Sequence, residues 1–395
     1  MNLHDDVDPD FSQDSLMTTQ DGFLYARGVQ ATTSIDVNQP QQVSLAVKHL
    51  FEQAHQRPHP TDKAPIVFGA IPFSHEGKAQ FILPRETIHL ERQQLAAWLD
   101  QRAKPTSVEV ESFQYNLEQH QYEAAVEQAL LAFEIGHLEK VVLGKQRTLN
   151  FDAALDPTAI LLHLLNHNPR GYLFSLPLKE HTFLGVSPEL LLRKKGREIF
   201  TNPLAGSVKR SGQEKHEAWQ AKALLGSAKD RHEHKLVVDD IARLLRPLCH
   251  ELHVPNGPSI LKTDAMLHLS TEIAGQLKQE NLLSLDVAMA IHPTPAVCGF
   301  PTDHAYDFIK HYEGERGYFA GLVGWCDEAG NGEWYIAIRC AAVKAHQATL
   351  FAGAGVVAGS NPTMEWQETE AKMGTMLKAL QATPPLSEVK HAGQI

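Results

Sequence analysis

Two helical stretches each set a pair of carboxylates on one side of a helix. In GSAKDRHEHKLVVDDIARLL, Asp230 and Glu233 stand three residues apart and continue the apolar stripe Val237, Ile241, Leu244 and Leu248. In PTMEWQETEAKMGTMLKAL, Glu365 and Glu368 repeat that spacing, with Lys372 and Met376 one and two turns on. Residues three and four apart share a helix face, so these acids fall on core-facing stripes. A carboxylate there is costly unless something neutralises it. A hard divalent cation fits, because Mg²⁺ takes oxygen ligands and needs only one or two carboxylates. A single acidic pair usually marks a solvated face. Two pairs, each with an apolar continuation, predict helices that converge on one Mg²⁺. The run RHEHK is not a zinc motif, since His232 and His234 are two apart and point to different sides.

Other residues could handle an anion or a proton. In YIAIRC, Tyr335, Ala337 and Arg339 share one face of an expected strand. An arginine in so apolar a run calls for a planar carboxylate, or else for a structural ion pair. LFAGAGVVAGSNP follows a strand, but Gly353, Gly355 and Gly359 are spaced GxGxxxG, and GSNP opens no dinucleotide-binding helix. Two readings remain for it: backbone N–H groups brought close to a small anion, or a bulge or tight turn. Lys140 begins the strand KVVLGK and Glu189 follows a proline in GVSPELLL. Each alone reads as a surface charge at a strand end. Together they could be a base and an acid, if burial tunes their proton affinities.

The elements that would position these groups are those of a soluble globular chain. It has 395 residues, 43% hydrophobic and 21% charged, enough for a large core. A net charge of -11 argues against nonspecific nucleic-acid binding, and an anionic substrate would need a local basic island or a cation. No apolar run is long enough to span a bilayer. The start, MNLHDDVDPDFSQDS, is acidic and polar, unlike a signal peptide. Cys249, Cys298, Cys326 and Cys340 show no paired spacing, which fits a reducing, cytoplasmic setting. Residues 1–20 read as a flexible acidic tail, 21–110 as a scaffold part of the fold, 111–382 as the catalytic core and 383–395 as a second tail. Helices are predicted over QYEAAVEQALLAFEIG, DPTAILLHLLNHNP with Asp156 as N-cap, and roughly 363–381. Strands cluster in hairpins, as in YFAGLVGWCDEAGNGEWYIAIRC, with helices interspersed, which is α+β rather than alternating βαβ.

The ordered series EKVVLGK, FLGVSPELLL, NPLAGSVKR, GSAKDRHEHKLVVDDI, MLHLSTEIAG, HPTPAVCGFP, FAGLVGWCDEAGNGEWYIAIRC, LFAGAGVVAGSNP and EWQETEAKMGTML strongly resembles the chorismate-utilising enzymes, the family of anthranilate synthase component I. Within it the pattern is most similar to the isochorismate synthase branch of the siderophore (2,3-dihydroxybenzoate) pathway. The motifs cover about residues 118–380 and carry the resemblance only weakly into 1–110. The resemblance implies a single large α+β domain of two stacked, mostly antiparallel sheets flanked by helices, with the site in a cleft between layers. It implies Glu233 and Glu368 as direct Mg²⁺ ligands, with Asp230 and Glu365 in support. Asp230 stands where many members have glutamate, so a water-bridged role is expected of it. The resemblance further implies Lys140 as the base that activates water and Glu189 as the acid that protonates the departing hydroxyl. Arg339 would hold the pyruvyl carboxylate. Backbone at Ala205, Gly206, Gly353 and Gly355 would line the pocket, and Ser207, His268 and Lys372 would add polar contacts. Val297 would border the ring. Its lack of a hydroxyl predicts that turnover stops at isochorismate, where members that go on to eliminate pyruvate tend to carry threonine. The expected partners are chorismate alone, with no nucleic acid, membrane or amidotransferase subunit, and the expected state is a monomer. Salicylate synthase, anthranilate or aminodeoxychorismate synthase, and a catalytically dead chorismate binder are the competing readings.

Overall fold

The computed structural model describes residues 8–56, 64–103, 108–263 and 266–381. Seventeen strands join in one sheet, and three more form a small second sheet. The pairings trace an antiparallel path. It begins Val110–Tyr115, Lys140–Phe151, Gln347–Val357, Cys340–Lys344, Thr182–Ser187 and Tyr172–Pro177. It continues through Ser15–Thr19, Gly22–Asp36, Lys78–Leu90 and Ile66–Ile71. It ends Leu322–Asp327, Gly332–Ile336, Leu190–Lys195, Glu198–Thr201, Ile273–Leu277 and Cys249–His253. The short strand Gly299–Phe300 caps the start of Lys140–Phe151. The α+β class stands, with the two expected sheets joined as halves of one ladder.

What joins the halves is the N-terminal part of the chain, which corrects the sequence reading. Residues Ser15–Thr19, assigned above to a loose tail, form a strand in which Leu16 and Met17 are fully buried. They face opposite ways, Leu16 into one apolar cluster and Met17 into the other. A strand buried on both faces carries no polar alternation, and five residues amid acidic sequence are too short to stand out. Residues 1–7 and the expected tail 383–395 lie outside the described residues.

The chain crosses between the halves twice near the centre. Thr182–Ser187 lies in the first half and Leu190–Lys195 in the second, with Pro188 and Glu189 between them. Gly332–Ile336 lies in the second half and Cys340–Lys344 in the first, with Ala337, Ile338 and Arg339 between. The expected strand through Arg339 therefore stops at Ile336, and Arg339 itself takes a left-handed φ of 52°. The crossings lie side by side: the Ile336 N–H donates to the Glu189 carbonyl (3.2 Å) and the Val186 N–H to that of Arg339 (3.1 Å).

The small sheet, Leu204–Lys209, Met266–Ser270 and Ser259–Lys262, packs against the helices Glu214–Gly226 and Ala228–Leu245. Its own core is slight: Leu224, Leu267 and Leu269. Among the described residues no helix is long and apolar enough to cross a membrane, and all four cysteines are buried free thiols.

Candidate active site

The two crossings, the small sheet and the two acidic helices enclose a cavity of about 250 Å³. Of the residues singled out from the sequence, Glu189, Asp230, Glu233, Glu365, Glu368, Ala205, Gly206, Ser207, His268, Val297, Arg339, Gly353, Gly355 and Lys372 all line it. Lys140 is the exception. It is fully buried beneath the glycine strand and reaches the site at Glu233, whose Oε1 lies 2.8 Å from its Nζ. That contact is an ion pair off the angle of a hydrogen bond, and the ammonium has no hydrogen-bond partner.

The helix Ala228–Leu245 begins where Ser227 caps the Asp230 N–H, and Pro362–Ala379 begins where Asn361 caps that of Met364. These starts fix which turns face the cavity. Glu233 and Glu365 are buried, while Asp230 and Glu368 are half-buried. Each glutamate has found a lysine: Glu233 has Lys140, Glu368 has Lys372 at 2.6 Å and Glu365 has Lys229 at 3.7 Å. Among the described residues no three His, Cys, Asp or Glu groups gather closely enough to hold a metal. The expected convergence therefore reaches one cavity but not a ready-made cage, because lysines compensate the buried charge that the sequence seemed to leave bare.

The donor chemistry still fits a hard cation. Burial, then the charge of Glu368, raises the Glu365 carboxyl to about 7. Burial, then repulsion from Glu233, raises Asp230 despite its hydrogen bond with Ser227. Glu368 moves the other way: burial opposes its charge, but Lys372 outweighs it and holds the carboxyl below the ordinary range. The cavity thus keeps more carboxylate charge than its lysines relieve, all of it on oxygen donors. Mg²⁺ draws only one or two carboxylates from a protein and completes its shell with water and substrate, so a closed cage is not required.

On the strand side the groups are poised differently. Burial pushes the Glu189 carboxyl up to about 7, against the pull of the Leu204 N–H and the nearby Lys140, Arg339 and Lys372. Burial lowers Arg339 to about 10, which leaves it charged at neutral pH. Its guanidinium makes no hydrogen bond or ion pair among the described residues. The structural ion pair considered for it is therefore absent there, which leaves its planar fork of donors open to an anion in the cavity. Burial, then Arg339 and Lys372, lower His268 to about 3, so its imidazole is neutral, and its buried Nε2 has no partner among the described residues.

The glycine strand pairs with Lys140–Phe151 without a register shift, so it holds no bulge, and Gly359, with φ 86°, lies in a tight turn just past its end. A Cβ on Gly355 would stand 2.5 Å from Glu233 Oε1 and 3.4 Å from Lys140 Cε. Glycine is there because two side chains occupy the space a third would need. Lys372 reaches the same strand, donating to the Gly353 carbonyl at 2.8 Å. Opposite, Gly206 takes φ 76° and its Cβ would meet that of Asp230 at 3.0 Å.

Sequence reasoning missed three contributors. Lys229 lines the cavity beside Glu365, but a lysine next to an acid in a helix reads as surface. His234, discarded with zinc, is buried and ties the Ala205 carbonyl (3.2 Å) to the Thr271 hydroxyl (2.7 Å). Arg316 is buried, pairs with Glu313, and donates to the carbonyls of Val297 (2.8 Å) and Val142 (2.6 Å), joining the loop of Val297 to the strand of Lys140. Its sequence neighbourhood, YEGERGY, carries no signal of that.

A profile of the chorismate binding enzyme family matches residues 83–381. The isochorismate synthase DhbC of Bacillus subtilis is 40% identical over 359 residues, 87% of each chain. The vibriobactin-specific isochorismate synthase of Vibrio cholerae is 39% identical, over 91% of this chain and 92% of that one. Among solved structures, DhbC of Bacillus anthracis, described as 2,3-dihydroxybenzoate-specific, superposes with a TM-score of 0.84 at 37% identity, over 95% of this chain and 97% of the other. This chain belongs to the chorismate-binding enzyme family.

Proposed function

We propose that the protein is an isochorismate synthase, which adds water at C2 of chorismate and expels the C4 hydroxyl. The observation that carries this is the pair at the chain crossings: an arginine with no partner among the described residues and a carboxyl that burial raises to about 7, side by side over one cavity. Arg339 binds the pyruvyl carboxylate in a fork. Glu189, protonated, gives its proton to the departing hydroxyl. Lys140 is the base that takes a proton from the water that attacks C2. One C–O bond forms and one breaks, one water enters and one leaves, and both side chains reset by proton exchange with solvent. Acid and base held at fixed places convert this into a positioned, unimolecular-like step.

Glu233 and Glu368 would hold a Mg²⁺, with Asp230 and Glu365 behind them. When bound, the ion neutralises the ring carboxylate. Similar chains that are 2,3-dihydroxybenzoate-specific or vibriobactin-specific support a place for the product in siderophore assembly.

The test is purified protein with chorismate and Mg²⁺ in ¹⁸O-water, followed by assay of isochorismate, salicylate, anthranilate and pyruvate. Isochorismate carrying one ¹⁸O, with no pyruvate, is expected. Stoichiometric pyruvate would reject the reading, and the aromatic product would name its replacement.

A further inference from the structure

A second cavity, of about 380 Å³, lies against the first. The two share Pro188, His268 and Arg339. The charged side chains that line the second are all basic: Arg170, Arg210, Lys262 and Arg339. Arg210 and Lys262 both pair with the buried Glu217, so together they retain one positive charge. Arg170 is exposed and forms no ion pair among the described residues. The lining is thus net positive on a chain whose total charge is -11.

Two features of the shared residues point to traffic rather than packing. Arg339, on the boundary, has no hydrogen bond or ion pair to fix its guanidinium among the described residues. His268, on the same boundary, presents a buried Nε2 without a partner. A boundary built only to separate two spaces would have satisfied these groups. An acidic protein repels a dianion from most directions, and a concave basic surface focuses the field and gathers the anion.

We infer that the second cavity is a cationic antechamber, through which a small dicarboxylate passes on its way to the catalytic cavity, with Arg339 taking hold of it at the threshold. This rests on the reading of the substrate as chorismate. Arg170 steers and touches no reacting atom. Thr375 lies on the antechamber wall, one turn beyond Lys372.

The test uses the full chain with Mg²⁺ and chorismate, and measures kcat and kcat/KM from low to roughly half-molar salt, where charges are screened within a few ångströms. Arg170→Glu is expected to lower kcat/KM about three- to tenfold at low salt, leave kcat unchanged, and converge on the parent as salt rises. Thr375→Trp, which narrows the passage without changing charge, should lower kcat/KM equally at every salt concentration. If the parent turns over chorismate while both variants keep its kcat/KM and its salt slope, the antechamber is overturned and the proposed function stands. A parent that leaves chorismate untouched overturns both.

Discussion

The cavity has two unlike walls. One is strand: Glu189 and Arg339 sit where the large sheet crosses itself and Gly353 and Gly355 lie in the strand Gln347–Val357, braced by the main apolar clusters. The other is helix and small sheet: the small sheet's private core is three leucines, while the two acidic helices pack into the main clusters through Val237, Ile241, Trp366 and Met376. On the strand wall charge stands ready, with a raised carboxyl and an arginine that has no partner among the described residues. On the helix wall each glutamate is already engaged by a lysine. The first wall can receive a ligand as it is. The second must exchange partners to do so, and its small sheet has the slighter support. Preorganisation is thus concentrated where proton transfer and carboxylate recognition are proposed.

The comparison breaks most directly at the carboxylates. Glu233→Ala or Glu368→Ala should abolish turnover, as should EDTA, with recovery of the parent on adding Mg²⁺. Full activity of a chelated sample would remove the metal from the helix wall. Next, Glu189→Gln should keep the shape of the strand wall and lose its proton, costing ~10²–10⁴-fold in kcat. The acid must be protonated, so the parent's rate should be full below the Glu189 value of about 7 and fall as pH rises through it. The variant's residual rate should lack that limb, and a limb that persists would assign it to another group.

Smaller effects sharpen the contrast between supports. Gly355→Ala places a methyl where Glu233 Oε1 now lies. A carboxylate at the end of a flexible side chain can yield, so thermal unfolding should change little while Mg²⁺ affinity, read by calorimetry, falls ~10–100-fold, as when a ligand's support is lost. Leu269→Ala should cost ~2–5 kcal/mol of local stability, read as faster amide exchange in the small sheet, with a larger KM and little change in kcat. Equal loosening of both walls would refute their difference. Smallest of all, Val297→Thr should release trace pyruvate, measurable by coupled assay.

Much of the site was legible because its residues obey local rules. The i,i+3 spacing and the stripes it continues placed Asp230, Glu233, Glu365 and Glu368 on faces that do line one cavity, and ordered motifs supplied Lys140, Glu189 and Arg339. What sequence could not show depends on neighbours remote along the chain. Lys229 and Lys140 neutralise acids on other elements. Gly355 is glycine because of Glu233, more than a hundred residues earlier. Arg339 looked like a strand residue because YIAIRC alternates like one, and only the crossing breaks that strand. Ser15–Thr19 was lost because burial on both faces removes the alternation that marks a strand.

The strand Ile66–Ile71 pairs with Leu322–Asp327, about 250 residues further on. During vectorial synthesis at ~5–20 residues per second, that edge stays unpartnered for on the order of 10–50 s after it clears the ribosome. Over that interval IVFGAI is a sticky, uncharged strand edge of the kind that chaperones shield. A fragment that begins at residue 111 would have the converse defect, a late strand with no early partner to greet it. The N-terminal ninety residues thus carry a demand on the cell's folding machinery.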